Sequence, residues 1–145
     1  MIRRILHPSD FSSASRAAFR KAVELAKQNR AELVVAHVLA PVVPVADGYI
    51  SAKAYEDMEA ASRRYGKKHL DARVGKARAA GVRARGLLLE GIVSDRIVRA
   101  AKAQRADTIV MGTHGRTGLS RFILGSVASR VVAHAACPVL TVRGK

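Results

Sequence analysis

The sequence predicts an α/β fold in which an open, mostly parallel sheet carries helices on both faces. Three observations predict it. Five short apolar segments alternate with four helix-patterned ones along the chain. Residues 33–39, Leu-Val-Val-Ala-His-Val-Leu, form a nearly continuous apolar run, the pattern of a strand covered on both faces. A length of 145 residues with 49% hydrophobic content suffices for one continuous core, so a single domain over residues 1–145 is expected. Parallel neighbours then require right-handed crossovers.

Residues 2–7 read as the first strand. Pro8-Ser9-Asp10-Phe11-Ser12-Ser13 follows with turn chemistry, and Ser12 or Ser13 is suited to accept the first free amides of a helix running to Asn29. Within that helix Ala18, Phe19, Ala22, Val23, Leu25 and Ala26 recur at spacings of three and four, while Arg16, Arg20, Glu24 and Lys27 share another face. Residues 33–39 are the second strand. Pro41, Pro44 and Gly48 oppose regular structure and make residues 40–50 a surface loop. From Ser51 to about Ala80 a long helix is expected, with an apolar stripe of Tyr55, Met58, Ala61, Tyr65, His69 and Ala72. Gly66 and Gly75 weaken it by about 1 kcal/mol each relative to Ala, and Gly81 ends it. Residues 82–89 give a third strand, and residues 94–104 a third helix with Ile97, Val98 and Ala101 inward. Residues 107–111 form a fourth strand, 126–135 a fourth helix and 138–143 a fifth strand.

Composition narrows the function. No run approaches the roughly 18 uncharged apolar residues of a membrane helix, and Met1-Ile2-Arg3-Arg4-Ile5 leads into strand-like sequence without an apolar signal region. A cytoplasmic protein without membrane contact is expected. The single cysteine, Cys137, leaves no internal disulfide and no thiolate cluster for a metal, and its apolar setting reads as a packed strand residue. Against 11 Asp and Glu stand 26 Lys and Arg, a formal net charge of +15 that draws any polyanion by counterion release. The basic residues are dispersed through helical segments, and three Tyr, three Phe and no Trp make a poor stacking platform for single strands. Solvated helix faces are the favoured reading of this charge, and nucleic-acid binding is the alternative.

The chemistry concentrates after the fourth strand, because ligands of open parallel sheets bind beyond the carboxyl ends of the strands where strand order reverses. There the chain reads Gly112-Thr113-His114-Gly115-Arg116-Thr117-Gly118-Leu119-Ser120-Arg121-Phe122-Ile123-Leu124-Gly125-Ser126 and enters a helix. Glycine lets backbone amides approach a phosphate unobstructed, and the helix start adds unpaired N–H groups and a positive dipole. The spacing is not that of the P-loop, since no Gly precedes Lys-Ser or Lys-Thr, nor does it contain Gly-x-Gly-x-x-Gly. His7 and His37, inside strands, read as hydrogen-bonded core or edge residues, and His69 and His134 have no metal-ligand partner at a useful spacing.

Gly, two residues, Gly, nine residues, Gly-Ser is a pattern that resembles the ATP-binding branch of the universal stress protein family. The likeness continues through Cys137-Pro138-Val139-Leu140, the first strand and turn from Ile5 to Ser12, and Ala36-His37-Val38, and so covers essentially the whole chain. It implies an open five-stranded parallel sheet in order 3-2-1-4-5, Rossmann-like and of the adenine nucleotide alpha hydrolase type, with a nucleotide across strands one and four. By position, Asp10 would accept hydrogen bonds from ribose or adenine, Pro8 and Val38 would frame the adenine beside Ser9, and Met111 and Gly112 would line the ribose. Gly115, Gly125, Ser126 and Val127 would offer amides to the phosphates, with His114 and Arg116 as further contacts. The alternatives are local: Asp10 could satisfy turn amides, and Gly112 and Gly118 could serve turn geometry.

The implied function is a stress-response module that binds ATP, ADP or AMP, with Mg²⁺ as a companion of ATP. The missing phosphate-reaching lysine and the lack of a base placed for water attack favour binding over turnover. Slow ATP hydrolysis through His114, Arg116 and a divalent ion is the alternative within the enzyme class. Residues 138–143 would form an open edge where another copy can pair, and the resemblance implies a homodimer through that strand; Arg143 and Lys145 guarding the edge of a monomer is the other reading.

Overall fold

Strand and helix alternate as β1 (Arg4–Pro8), α1 (Ser15–Asn29), β2 (Glu32–Leu39), α2 (Ala52–Ala79), β3 (Ala84–Glu90), α3 (Val93–Ala103), β4 (Thr108–Gly112), α4 (Ser126–His134) and β5 (Val139–Val142). The computed structural model describes residues 1–42, 48, 50–114 and 124–144. All five strands are parallel, in the order β3-β2-β1-β4-β5. The chain steps outward from β1 to β2 and β3, then returns to the far side of β1 for β4 and β5. Strand order therefore reverses between β1 and β4.

The period of two along a strand sorts the apolar residues into two layers. Ile5, Leu33, Val35 and Val110 pack under α1 and α2 with Phe19, Ala22, Leu70, Val74 and Ala77. Their strand neighbours Leu6, Val34, Ala36, Ile109 and Met111 pack under α3 and α4 with Ile97, Ala101, Ala128 and Val131. Burial on both faces is why residues 33–36 show no polar alternation. At the amino-terminal ends of the strands Asp107 accepts the Arg3 and Arg4 amides at 2.7 and 2.9 Å, and these bonds hold its carboxyl below the usual range. Glu32 sits between Arg4 (2.6 Å) and Arg85 (2.9 Å); partial burial pushes its carboxyl up, but the two guanidiniums together outweigh this and hold it low.

Three expectations change. Helix α1 begins at Ser15, later than Ser12 or Ser13, because Phe11 takes a left-handed backbone (φ 64°) that turns the chain first, while Ser12 plays its expected part, its Oγ accepting the Ser15 amide at 3.2 Å. The buried stripe of α2 is Gly66, Leu70, Val74 and Ala77 instead of the one through Met58 and Tyr65, which are 46% and 45% exposed. The chosen stripe followed the largest apolar side chains, whereas the helix meets the sheet on its smallest residue. Cys137 lies in the turn before β5, half-buried, and not in the strand. Among the described residues no helix is long and apolar enough to cross a membrane.

Candidate functional site

The register between β1 and β4 runs through Ile5↔Thr108 and Leu6↔Ile109, and beyond it the two strands continue without further pairing to each other. A cleft of about 380 Å³ opens there, bounded by the ends of β1, β2 and β4, the start of α4, and Val93 and Ile97 of α3. Ala36, Val38, Ile97 and Met111 give it an apolar floor, and Ser9, Asp10, Thr113, His114 and Ser126 a polar rim.

The β1 side is a tightly bonded turn. Ser9 donates its amide to Ala36 O at 2.8 Å, Ser9 Oγ accepts the Phe11 amide at 3.2 Å, and Asp10 Oδ1 accepts the Ser12 amide at 2.9 Å. Asp10 thus fills the local turn role and lines the cleft as well. His37 donates from Nδ1 to Ser9 O at 2.8 Å and lies against the Phe11 ring with centroids 4.4 Å apart. It is hydrogen-bonded, as a strand histidine should be, and it also forms part of the cleft wall. These bonds hold Phe11 in a left-handed conformation that non-glycine residues rarely adopt.

The α4 side is built by close approach of backbones. Gly125 donates to Thr113 O at 2.8 Å, and a Cβ at Gly125 would stand 2.9 Å from that same oxygen. A Cβ at Gly112 would stand 3.3 Å from His114 O. Neither glycine has a positive φ, so each is needed for proximity and not for handedness. As N-cap, Gly125 brings no side chain to the first turn of α4, whose amides at Ser126, Val127 and Ala128 have no intrahelical acceptor and point toward the cleft with the positive end of the helix dipole. His114 pairs Nδ1 with Thr113 Oγ1 at 3.0 Å, and its buried Nε2 has no partner among the described residues.

Beneath the turn, His7 is fully buried and holds Val110 O at 2.8 Å through Nδ1. The carbonyl oxygen requires the proton on Nδ1, which leaves Nε2 an unpaired acceptor. Burial holds its pKa down to about 4, with the nearby Arg73 charge acting the same way against the Val110 bond and Asp10.

The structure brings Pro8, Ser9, Asp10, Val38, Met111, Gly112, His114, Gly125, Ser126 and Val127 to this one cleft. Gly115, Arg116 and Gly118 lie outside the described residues. Ser15, His37, Thr113, Val93 and Ile97 line the cleft without having been singled out for it. The glycine run could have flagged Thr113, but α3 carries no local sign that it crosses to the site, and Ile97 reads as an ordinary core residue.

The sequence model described as the universal stress protein family matches residues 1–143. A universal stress protein of Methanocaldococcus jannaschii is 36% identical over 143 residues, which is 99% of this chain and 83% of the relative. Among solved structures, a universal stress protein from Lactobacillus plantarum superposes with a TM-score of 0.84 at 27% identity, covering 98% of both chains. A universal stress protein from Archaeoglobus fulgidus in complex with dAMP gives 0.68 at 25% identity, covering 99% of this chain and 98% of that one. Family model, whole-length relatives and a shared 3-2-1-4-5 sheet converge: the chain belongs to the universal stress protein family.

Proposed function

We propose that the chain binds an adenine nucleotide in this cleft, with ATP as the ligand in the cell and ADP or AMP as weaker occupants, and that it serves as a cytoplasmic regulatory module of the stress response. One observation carries the reading: an uncapped helix start faces one end of a cleft whose floor is apolar and whose opposite rim holds a carboxylate. A nucleoside phosphate asks for those three things, namely amides and dipole for phosphate, an acceptor for ribose hydroxyls and apolar walls for the base. The dAMP complex of the Archaeoglobus relative supports the adenine assignment.

In this reading Pro8 and Val38 hold the adenine beside Ser9, Asp10 accepts from the ribose, and Met111 and Gly112 pack against the sugar. The Gly125, Ser126 and Val127 backbone, with the Ser126 hydroxyl, takes the phosphates, and Gly115 and Arg116 contribute from the loop before α4. Among the described residues no group of three His, Cys, Asp or Glu side chains could hold a metal. Mg²⁺ would therefore enter on the nucleotide phosphates. Binding of ATP stabilises helix α4, and α4 packs on β5, through which the chain pairs with a second copy.

Thermal unfolding with ATP is the test. A ligand at about a hundredfold its Kd adds about 2.7 kcal/mol, which for a chain of this size raises Tm by roughly 5–10 °C. Gly125→Val, which pushes a side chain into Thr113 O, is expected to abolish the shift, and Asp10→Ala to reduce it. An unshifted wild-type curve at millimolar ATP would sink the reading. His114 Nε2 at the rim, without a partner among the described residues, favours slow hydrolysis as a second reading. Phosphate release that disappears in His114→Ala with Arg116→Ala supports turnover, and release equal to a buffer blank removes it.

A further inference from the structure

Charges that are dispersed in the sequence are partly gathered by the fold. Helix α1 packs over β1 and β4, and α2 over β2 and β3, on the same face of the sheet, so a furrow runs between them. Arg73 of α2 leans across it with its guanidinium over the Phe19 ring of α1, 5.1 Å from the centroid. Arg16, Arg20 and Lys27 are exposed along α1 at spacings of four and seven, which places them on one side of the helix. Lys76 lies three residues beyond Arg73 on the same side of α2. None of these five cations forms a salt bridge among the described residues, and Glu24, the carboxylate that shares their face of α1, is paired with Lys21. Burial lowers the affinity of the Arg73 guanidinium for its proton, the neighbouring Arg16 charge adds to this, and Asp10 opposes it. Arg16 and Arg73 are therefore near enough to act on one another, with Asp10 as the opposing charge.

We propose that the α1–α2 furrow binds the phosphate backbone of duplex nucleic acid without reading its sequence. From Arg16 to Lys27 the helix rises roughly 16 Å, the span of about five phosphates along one strand of a duplex. Fixed cations without carboxylate partners attract phosphates by releasing their condensed counterions. Phe19 is buried beneath Arg73, and Tyr65, two turns before Arg73 on α2 and half-exposed, is packed against Phe11 and His69, so both rings are already engaged by neighbours, which favours duplex over the stacking of an unpaired base. Beside the furrow Tyr65 is 45% exposed, and a single ring is a weak anchor for a lipid surface. None of its five cations lines the cleft at the strand ends, although Asp10, which does, acts on Arg73, and the proposal does not depend on nucleotide binding there.

Fluorescence anisotropy of a labelled random-sequence duplex of about 20 base pairs tests this. Log Kobs is expected to fall linearly with log salt at a slope of about −3 to −5. A triple variant, Arg16→Gln with Arg20→Gln and Lys27→Gln, should lower affinity by about tenfold or more and flatten that slope by two to three, about 0.9 for each phosphate no longer neutralised. The charge-matched control on the other face, Arg99→Gln with Lys102→Gln and Arg130→Gln, should change affinity by less than about threefold. All six side chains are exposed, so both variants should melt like the wild type, and a further Arg73→Gln exchange should deepen the loss in the first and lower the affinity of the control. Equal losses from the two triples, an affinity independent of salt, or tighter binding to a single strand of the same length would overturn the proposal. Binding to vesicles containing phosphatidylserine but not to the duplex would also overturn it.

Discussion

A histidine sealed inside a sheet must be neutral, and His7 shows what this does to stability. Its pKa falls from 6.5 to about 4 on folding, chiefly through burial. Between those values the unfolded chain binds a proton that the folded one refuses, so stability rises with pH across that window and the contribution is complete above pH 6.5. At about 1.4 kcal/mol per pKa unit, full titration removes about 3 kcal/mol. Urea unfolding from pH 7 to pH 4 should show this loss, and His7→Leu should flatten it; an unchanged pH slope in that variant would assign the titration elsewhere. Asp107 and Glu32, whose pKa values are lowered, lose their contributions at lower pH, as acid protonates carboxylates that folding keeps charged. The residue identities at His7 and His37 already suggested bonded strand histidines. What they bond, Val110 O and Ser9 O, joins segments 103 and 28 residues apart and could not be read locally.

At the scale of an element, α2 separates two glycines that look alike in sequence. Gly75 has open space around it, so Gly75→Ala should stabilise the protein by about 1 kcal/mol through helix propensity alone. Gly66 lies where the helix crosses the sheet, and a Cβ there would stand 3.0 Å from His37 Cδ2 and 3.1 Å from Leu39 Cδ2. Gly66→Val should therefore destabilise by about 2 kcal/mol through overpacking, and should disturb the His37 wall of the cleft. Chemical denaturation of both variants checks the pair, and a stabilised Gly66→Val would contradict the close approach. Periodicity located this helix to within a residue at each end, with Ser51 as its N-cap accepting the Ala54 amide at 3.1 Å. Its facing was missed because a large apolar residue carries more weight in a pattern than a glycine does.

For the whole molecule the open edges of the sheet matter. Among the described residues strand β5 pairs only with β4, and Leu140 on it is 39% exposed. Unpaired amides and carbonyls beside an exposed apolar side chain form a template for a second copy. Light scattering is expected to give twice the 15.5 kDa mass of the chain, and Leu140→Lys should shift it toward the monomer. A monomeric wild type at micromolar concentration would show that the edge is protected.

The sequence by itself determined the alternation of elements, the parallel sheet and the turns at which the cleft opens, because each follows from local apolar period and from glycine, proline and serine placement. Asp10 and Gly112 were legible for that reason at strand ends, and Gly125 as the glycine before a helix start. Only the tertiary structure decided that Val93 and Ile97 of α3 wall the cleft, that α2 meets the sheet through Gly66, and that Arg16 and Arg73 share a furrow. The physical reason is the same for all three. Each depends on how one helix lies across a sheet or beside another helix, and that is set by side-chain volumes from distant segments, which leave no period in the local sequence.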